Sequence, residues 1–201
     1  MKKAIAILMV LLVAGVMFAA DATLTLTSTM AAKTNHGFSS IALNYLQIIN
    51  GQIIGEEENT DAFDLNDKVY PVDFTDSSTQ GIGYYSFATN ASTSISVTLT
   101  INALHNEDTD YEVPYTLGYT KGENSTAGVV SGTKKVGSDV KFLNDSDVST
   151  ETITLANSLA GSGPSWGTYA LTATFDPTDI EAKGLPAETY TGDIVATITT
   201  T

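Results

Sequence analysis

The stretch STSISVTLTINA, residues 92–103, decides the fold class because apolar and hydroxyl side chains alternate along it. A period of two places every second side chain on the same face of an extended chain. The apolar face comprises Ile95, Val97, Leu99 and Ile101, and the polar face comprises Ser94, Ser96, Thr98 and Thr100. The pattern predicts a β-strand with one buried face.

A second alternating segment follows after a polar stretch. His105 to Asp110 (HNEDTD) has the composition of a turn, and Tyr111 to Thr120 (YEVPYTLGYT) alternates again. Tyr111, Val113, Tyr115, Leu117 and Tyr119 share one face of that segment. We therefore expect a long hairpin between the two strands.

The rest of the chain predicts nine or ten strands in all and no amphipathic helix of three turns after the N-terminal segment. Ser40 to Ile49 (SIALNYLQII) fits either a strand or a helical stripe, and its β-rich surroundings favour the strand. Lys134 to Asp147 is polar and predicts a loop. An immunoglobulin-like antiparallel β-sandwich is the expected fold, and a jelly roll is the alternative.

The first residues have the pattern of a secretory signal peptide. Lys2 and Lys3 precede an uninterrupted small and apolar run, Ala4 to Ala20, and cleavage after Ala22 leaves Ala20 at the preferred small-residue position. An uncleaved N-terminal anchor is the alternative. We expect a signal peptide over residues 1–22 and a single domain over residues 23–201, exported to the periplasm, the cell surface or the extracellular space of a bacterium.

Composition excludes several classes of function. The chain carries a formal net charge of −14 and has no arginine, so it lacks the basic patches that bind nucleic acid. It has no cysteine either, which removes thiol catalysis, thiolate metal sites and disulfides. We expect no nucleic-acid partner, no cofactor and no contact with a membrane other than during export.

Two acidic stretches could supply oxygen ligands for Ca²⁺. One lies in Gly55 to Lys68 (GEEENTDAFDLNDK), whose spacing does not match an EF-hand. The other comprises Asn144, Asp145, Asp147 and Glu151. A solvated loop is the favoured interpretation of the first stretch and ordinary turn composition that of the second, so no metal site is assigned.

Catalytic motifs are missing from the sequence. Its two histidines, His36 and His105, lie in polar surroundings outside any nucleophile motif, and there is no Gly-x-Ser-x-Gly elbow. Two carboxylates could still form a glycosidase pair, which needs a cleft that spacing alone does not define. We therefore expect a protein that is not an enzyme.

Trp166 is the only tryptophan and is predicted to lie in a Gly- and Ser-rich loop, Asn157 to Gly167 (NSLAGSGPSWG). An exposed indole there could stack on a sugar or dock a partner, whereas a buried one would close the end of the domain. A carbohydrate-binding module using Trp166 and loop tyrosines is therefore one alternative function, and a Ca²⁺-dependent extracellular sandwich is another.

The order of motifs resembles the immunoglobulin-like sandwich of bacterial fimbrial subunits and of spore-coat-U-like secreted proteins. The motifs are NASTSISVTLTIN (90–102), DYEVPYTLGY (110–119), LPAETYTGDIVATITT (185–200) and the alternating segment after the signal peptide. The resemblance implies a structural or adhesive surface subunit whose partners are other subunits or a cell-surface ligand. It also implies that Thr23 to Thr29 (TLTLTST), with Leu24 and Leu26, is the strand added to a neighbouring subunit, which would form a homo-oligomer.

Overall fold

The computed structural model describes residues 32–54, 59–126, 128, 130–144, 147–159 and 164–200. The chain divides into Met1–Ala31 and Ala32–Thr201, and every described residue belongs to the second unit. The predicted signal peptide and the predicted donor strand, with Leu24 and Leu26, lie outside the described residues.

Most of the regular structure in the described residues is β-strand, and every strand pair is antiparallel. The strands are β1 (Thr34–Ser39), β2 (Gln52–Ile54), β3 (Asn59–Asp61), β4 (Gln80–Thr89), β5 (Ile95–Asn102), β6 (Leu104–Asn106), β7 (Tyr111–Val113), β8 (Tyr115–Lys121), β9 (Gly132–Val136), β10 (Lys141–Phe142), β11 (Thr150–Leu159), β12 (Ser165–Thr174) and β13 (Ile194–Thr200). The helices are α1 (Tyr45–Asn50) and α2 (Pro177–Lys183). The all-β class predicted from the sequence is confirmed.

Two sheets contain the long strands. The five-stranded sheet has the order β1-β4-β12-β8-β9, and the β5 sheet has the order β11-β5-β13. Two small sheets, β10-β7-β6 and β2-β3, complete the described part.

Both large sheets contribute to one hydrophobic core. In β5, Ile95, Val97, Leu99 and Ile101 are completely buried and the intervening residues are not, as the alternation predicted. From the five-stranded sheet, Tyr85, Leu117 and Tyr169 are buried in the same core. Full burial of an aliphatic side chain stabilises a fold by about 1.5–3 kcal/mol, so the buried face of β5 is a principal source of stability.

The predicted long hairpin is wrong, although both of its strands exist. β5 pairs with β11 and β13, whereas β8 pairs with β12 and β9 in the other large sheet. The polar turn instead closes a short hairpin between β6 and β7. Pro114, which separates β7 from β8, has no N–H to continue a ladder, so the chain changes sheets at that residue.

The predicted strand Ser40 to Ile49 is also wrong, because its second half is helix α1. Asn44 accepts a hydrogen bond from the Gln47 N–H, and the Gln47 side chain accepts one from the Asn44 N–H, which makes a capping box. Gly51 ends the helix at φ +71°, in the left-handed region that favours glycine. Local capping therefore outweighs the β-rich context.

The predicted loop Lys134 to Asp147 is partly wrong, since it includes most of β9 and all of β10. β9 lies at the edge of the five-stranded sheet, where Lys134 and Lys135 interrupt the alternation that would mark a strand. Charged edge strands are common because lysine discourages further pairing, and this is why the composition resembles that of a loop.

Candidate functional site

Trp166 does not lie in a loop, contrary to the prediction. It is the second residue of β12, paired with Ala88 of β4, and its backbone N–H donates to Thr126 Oγ1 at 2.8 Å. Its half-buried side chain packs on the α1 cluster, which comprises Leu43, Ile48, Ile49, Ala62, Phe63 and Ala88. Much of the indole surface that could stack on a sugar therefore contacts protein.

In the second acidic stretch, Glu151 is engaged in an ion pair within the protein. Glu151 lies in β11 and forms an ion pair with Lys134 of β9, with Oε2 2.7 Å from Nζ. Asn144 adopts φ +50° and Asp147 is exposed, while Asp145 lies outside the described residues. Within the described ranges, no group of three His, Asp or Glu side chains is placed to hold a metal ion.

Part of the first acidic stretch protects a strand edge. Asp64 accepts hydrogen bonds from the Ser40 N–H at 2.8 Å and the Ser40 hydroxyl at 2.6 Å. Asn66 Oδ1 accepts the Phe38 N–H at 2.8 Å, and the Leu65 N–H donates to the Phe38 carbonyl. These contacts satisfy backbone N–H and C=O groups that point outwards at the end of β1, which is an edge strand of the five-stranded sheet. Glu56, Glu57 and Glu58 lie outside the described residues.

Buried tyrosines account for part of the core. Burial raises the pKa of Tyr85, and the neighbouring Tyr169 raises it further. Burial likewise raises the pKa of Tyr115 and that of Tyr169. Phenols whose neutral form is favoured in this way serve as packing and hydrogen-bonding groups.

One open cleft of about 410 Å³ lies beside α2 and was not predicted from the sequence. Asp139, Asp176 and Asp179 line it. Asp176 caps α2 by accepting the Thr178 N–H, and Asp179 accepts the Val140 N–H at 2.8 Å. Two of the three carboxylates thus hold local backbone in place.

The other edge of the five-stranded sheet is β9, and charge protects it. Lys135 Nζ donates to the Ser138 carbonyl at 2.6 Å, and Lys134 forms the ion pair with Glu151. The edge of β11 lies close by, and the Val130 N–H donates to the Leu155 carbonyl there. Both neighbouring edges therefore carry contacts that oppose addition of another strand.

The outer edge of β13 differs from the others. Within the described part of the chain, no strand pairs with it. The stretch IVATITT, residues 194–200, contains no charged residue and no proline. Val195, Thr197 and Thr199 are exposed, while Ile194, Ala196 and Ile198 pack against the core. This is the kind of edge that accepts an added strand.

The register shows which backbone groups of β13 point outwards. The Asn102 N–H donates to the Asp193 carbonyl, so these opposite residues form a hydrogen-bonded pair. Such pairs alternate in an antiparallel ladder, which directs Val195, Thr197 and Thr199 towards β5. The N–H and C=O groups of Ile194, Ala196, Ile198 and Thr200 therefore point away from the sheet. These four residues define the β13 edge, the candidate interaction site.

In the described ranges, no helix is long and apolar enough to cross a membrane. Comparison with known proteins gives no match to a family model, to a curated protein or to a solved structure.

Proposed function

We propose that this protein is an exported, non-enzymatic structural or adhesive subunit of the bacterial surface, built as an immunoglobulin-like β-sandwich and acting through strand edges and loops. The shared core of the two large sheets supports the sandwich arrangement, because sheets that bury side chains in one core pack face to face. The proximity of β9 to β11 supports it further, since it brings one edge of each sheet together.

The observation that carries this function is the contrast between edges. The β1 edge is capped at Phe38 by Asn66 and Leu65, and the β9 edge carries two lysines. Strand β13 has seven uncharged, mainly β-branched residues, and the four that define the β13 edge direct their backbone groups outwards. A soluble protein normally protects long flat edges. An edge that no described strand covers, beside edges that carry protecting contacts, is consistent with a surface kept for assembly.

The partner at this edge is a strand from another subunit or from a cell-surface ligand. The resemblance to fimbrial subunits makes Thr23 to Thr29 of a neighbour one candidate for that strand, with Leu24 and Leu26 on its apolar face. Backbone hydrogen bonds would provide the affinity, and the alternating side chains the selectivity.

Light scattering of the exported chain over a range of concentrations tests the proposal, alongside a variant lacking residues 23–29. Intact mass of the exported form checks cleavage after Ala22, and fractionation of cells checks its location. We expect the exported chain to assemble. A chain that stays in the cytoplasm, or one that is exported and remains a monomer at all concentrations, would contradict the proposed function.

If the deleted variant is a folded single subunit while the full form builds ladders, the segment Thr23 to Thr29 is the added strand. An Ala196→Pro variant provides the matching change on the receiving side. It removes an outward N–H and leaves the ladder to β5 intact, as proline on an edge strand usually does. Thr197→Pro is its control for general damage, because it removes an N–H that bonds to β5.

A further inference from the structure

We propose that the partner at the β13 edge is β13 of a second copy, paired antiparallel about a two-fold axis at Thr197. This inference rests on the proposed function and names its partner. It joins two β5 sheets into one continuous sheet with the order β11-β5-β13-β13-β5-β11.

The backbone pattern of the β13 edge is complementary to itself. Its outward groups belong to Ile194, Ala196, Ile198 and Thr200, which are spaced symmetrically about Thr197. In an antiparallel pair centred there, Ile194 lies opposite Thr200 of the second copy, and Ala196 lies opposite Ile198. These are the hydrogen-bonded pairs, so every outward N–H and C=O of the edge obtains a partner.

The side chains are compatible with the same register. On the exposed face, Thr197 meets Thr197 of the second copy, and Val195 meets Thr199. Pairs between β-branched residues stabilise a sheet, typically by about 0.2–1 kcal/mol each. The side chains of Ile194, Ala196 and Ile198 continue along the face that already packs against the core.

Charge favours a second copy at this edge. In a two-fold contact each surface meets its own charges, and the chain carries a formal net charge of −14. Most surfaces would therefore bring like charges together. The β13 edge has no charged side chain from Ile194 to Thr200, so two copies can pair there without that repulsion.

Cysteine substitution tests the register directly, because the chain has no cysteine of its own. Residues at the centre of the proposed pair are non-hydrogen-bonded neighbours with Cα atoms about 4.5 Å apart, within the range that a disulfide spans. We expect Thr197→Cys to form a cross-linked dimer on mild oxidation. Val195→Cys should not, because its partner is Thr199. Thr154→Cys is the matched control: Thr154 and Thr197 are exposed and both lie opposite Thr98, on the two sides of β5.

Charge substitution tests the same contact in solution. Thr197→Lys places two ammonium groups together at the axis and should weaken the dimer at least about tenfold, since such contacts cost more than 1.4 kcal/mol. Thr154→Lys should leave the mass and the concentration dependence unchanged. Thermal unfolding of both variants checks that the subunit still folds.

Light scattering of the exported chain distinguishes the outcomes. A dimer that Thr197→Lys dissociates and Thr197→Cys cross-links supports the inference. Assemblies that require residues 23–29 and show no link at position 197 overturn it in favour of strand donation, and the proposed function survives. A dimer unaffected by Thr197→Lys overturns it as well. An exported chain that is monomeric at every concentration overturns both.

Discussion

The carboxylate of Glu112 in β7 lies 3.4 Å from the Nζ of Lys141 in β10, and Glu112 is completely buried whereas Lys141 is partly exposed. Glu112 Oε2 accepts the Ser149 N–H at 2.6 Å, just before β11 begins. Oε1 has no hydrogen-bond partner among the described residues, so the ammonium of Lys141 is its principal compensation. The buried carboxylate of Glu112 thus links the β10-β7-β6 sheet to the residue before β11.

Lys141→Met should destabilise the fold by about 3 kcal/mol, because it leaves the buried carboxylate without its cation. The value is at the low end for buried pairs since Lys141 is partly in water. Chemical unfolding in urea measures the change. Lys134→Met is the control, because the half-exposed pair of Lys134 with Glu151 is worth only about 0–1 kcal/mol. Equal losses in the free energy of unfolding would show that burial of Glu112 does not determine how much its ion pair stabilises the fold.

Asn44→Ala should cost about 0.5–2 kcal/mol, because it removes the side-chain oxygen that caps α1. Asn44→Ser keeps a capping oxygen and should retain most of the stability. Trp166 packs on the same cluster as α1, so its fluorescence reports this region during unfolding. A loss of stability that is the same for serine and alanine would assign the effect to something other than the cap.

The sequence predicted which side chains of a strand are buried better than it predicted which strands pair with each other. The alternation in β5 identified its buried residues because burial depends on the strand itself. The predicted pairing partner of β5 was wrong because the same alternation is compatible with a strand in either large sheet. The capping pair Asn44 and Gln47 is a local sequence signal for α1. The strand prediction for this segment rested on its β-rich surroundings instead, and it was wrong. Burial of Glu112 follows from contacts with distant residues, which no local pattern records.

For the candidate site, too, the pattern within the strand could be predicted from the sequence, whereas its place in the sheet could not. The uncharged alternation of the last strand was visible in the sequence, and the end of the chain was among the motifs used. That β13 lies at an edge, and that Ala196 and Ile198 direct their backbone groups outwards, required the register with β5. The loop predicted for Trp166 was wrong because the glycines beside it suggested a turn, whereas β12 begins at Ser165.

Removal of divalent cations should leave the melting temperature unchanged. Glu151 is already paired with Lys134, and no three acidic or histidine side chains of the described residues are grouped for a metal. A ligand that binds only the folded state raises the free energy of unfolding by RT ln(1 + [L]/Kd), so the melting temperature rises with ligand concentration. Thermal unfolding in excess chelator and in millimolar CaCl₂ measures the effect. A melting temperature that rises with calcium and falls with chelator would restore the Ca²⁺-dependent alternative.

His36 should make the fold less stable as the solution becomes mildly acidic. His36 belongs to β1, and its Nδ1 lies 3.2 Å from the Tyr85 hydroxyl. Burial of the imidazole lowers the pKa of His36 below the ordinary value of 6.5. The unfolded chain therefore binds a proton at this residue more readily than the folded chain, so stability is lost as pH falls through about 6.5. Urea midpoints between about pH 7.5 and 5.5 should show a smaller decline in His36→Gln than in the parent. Tyr85→Phe is the control, because it removes the hydroxyl and leaves the histidine buried, so the pH dependence should persist. An unchanged slope in His36→Gln would assign the acid sensitivity to other groups.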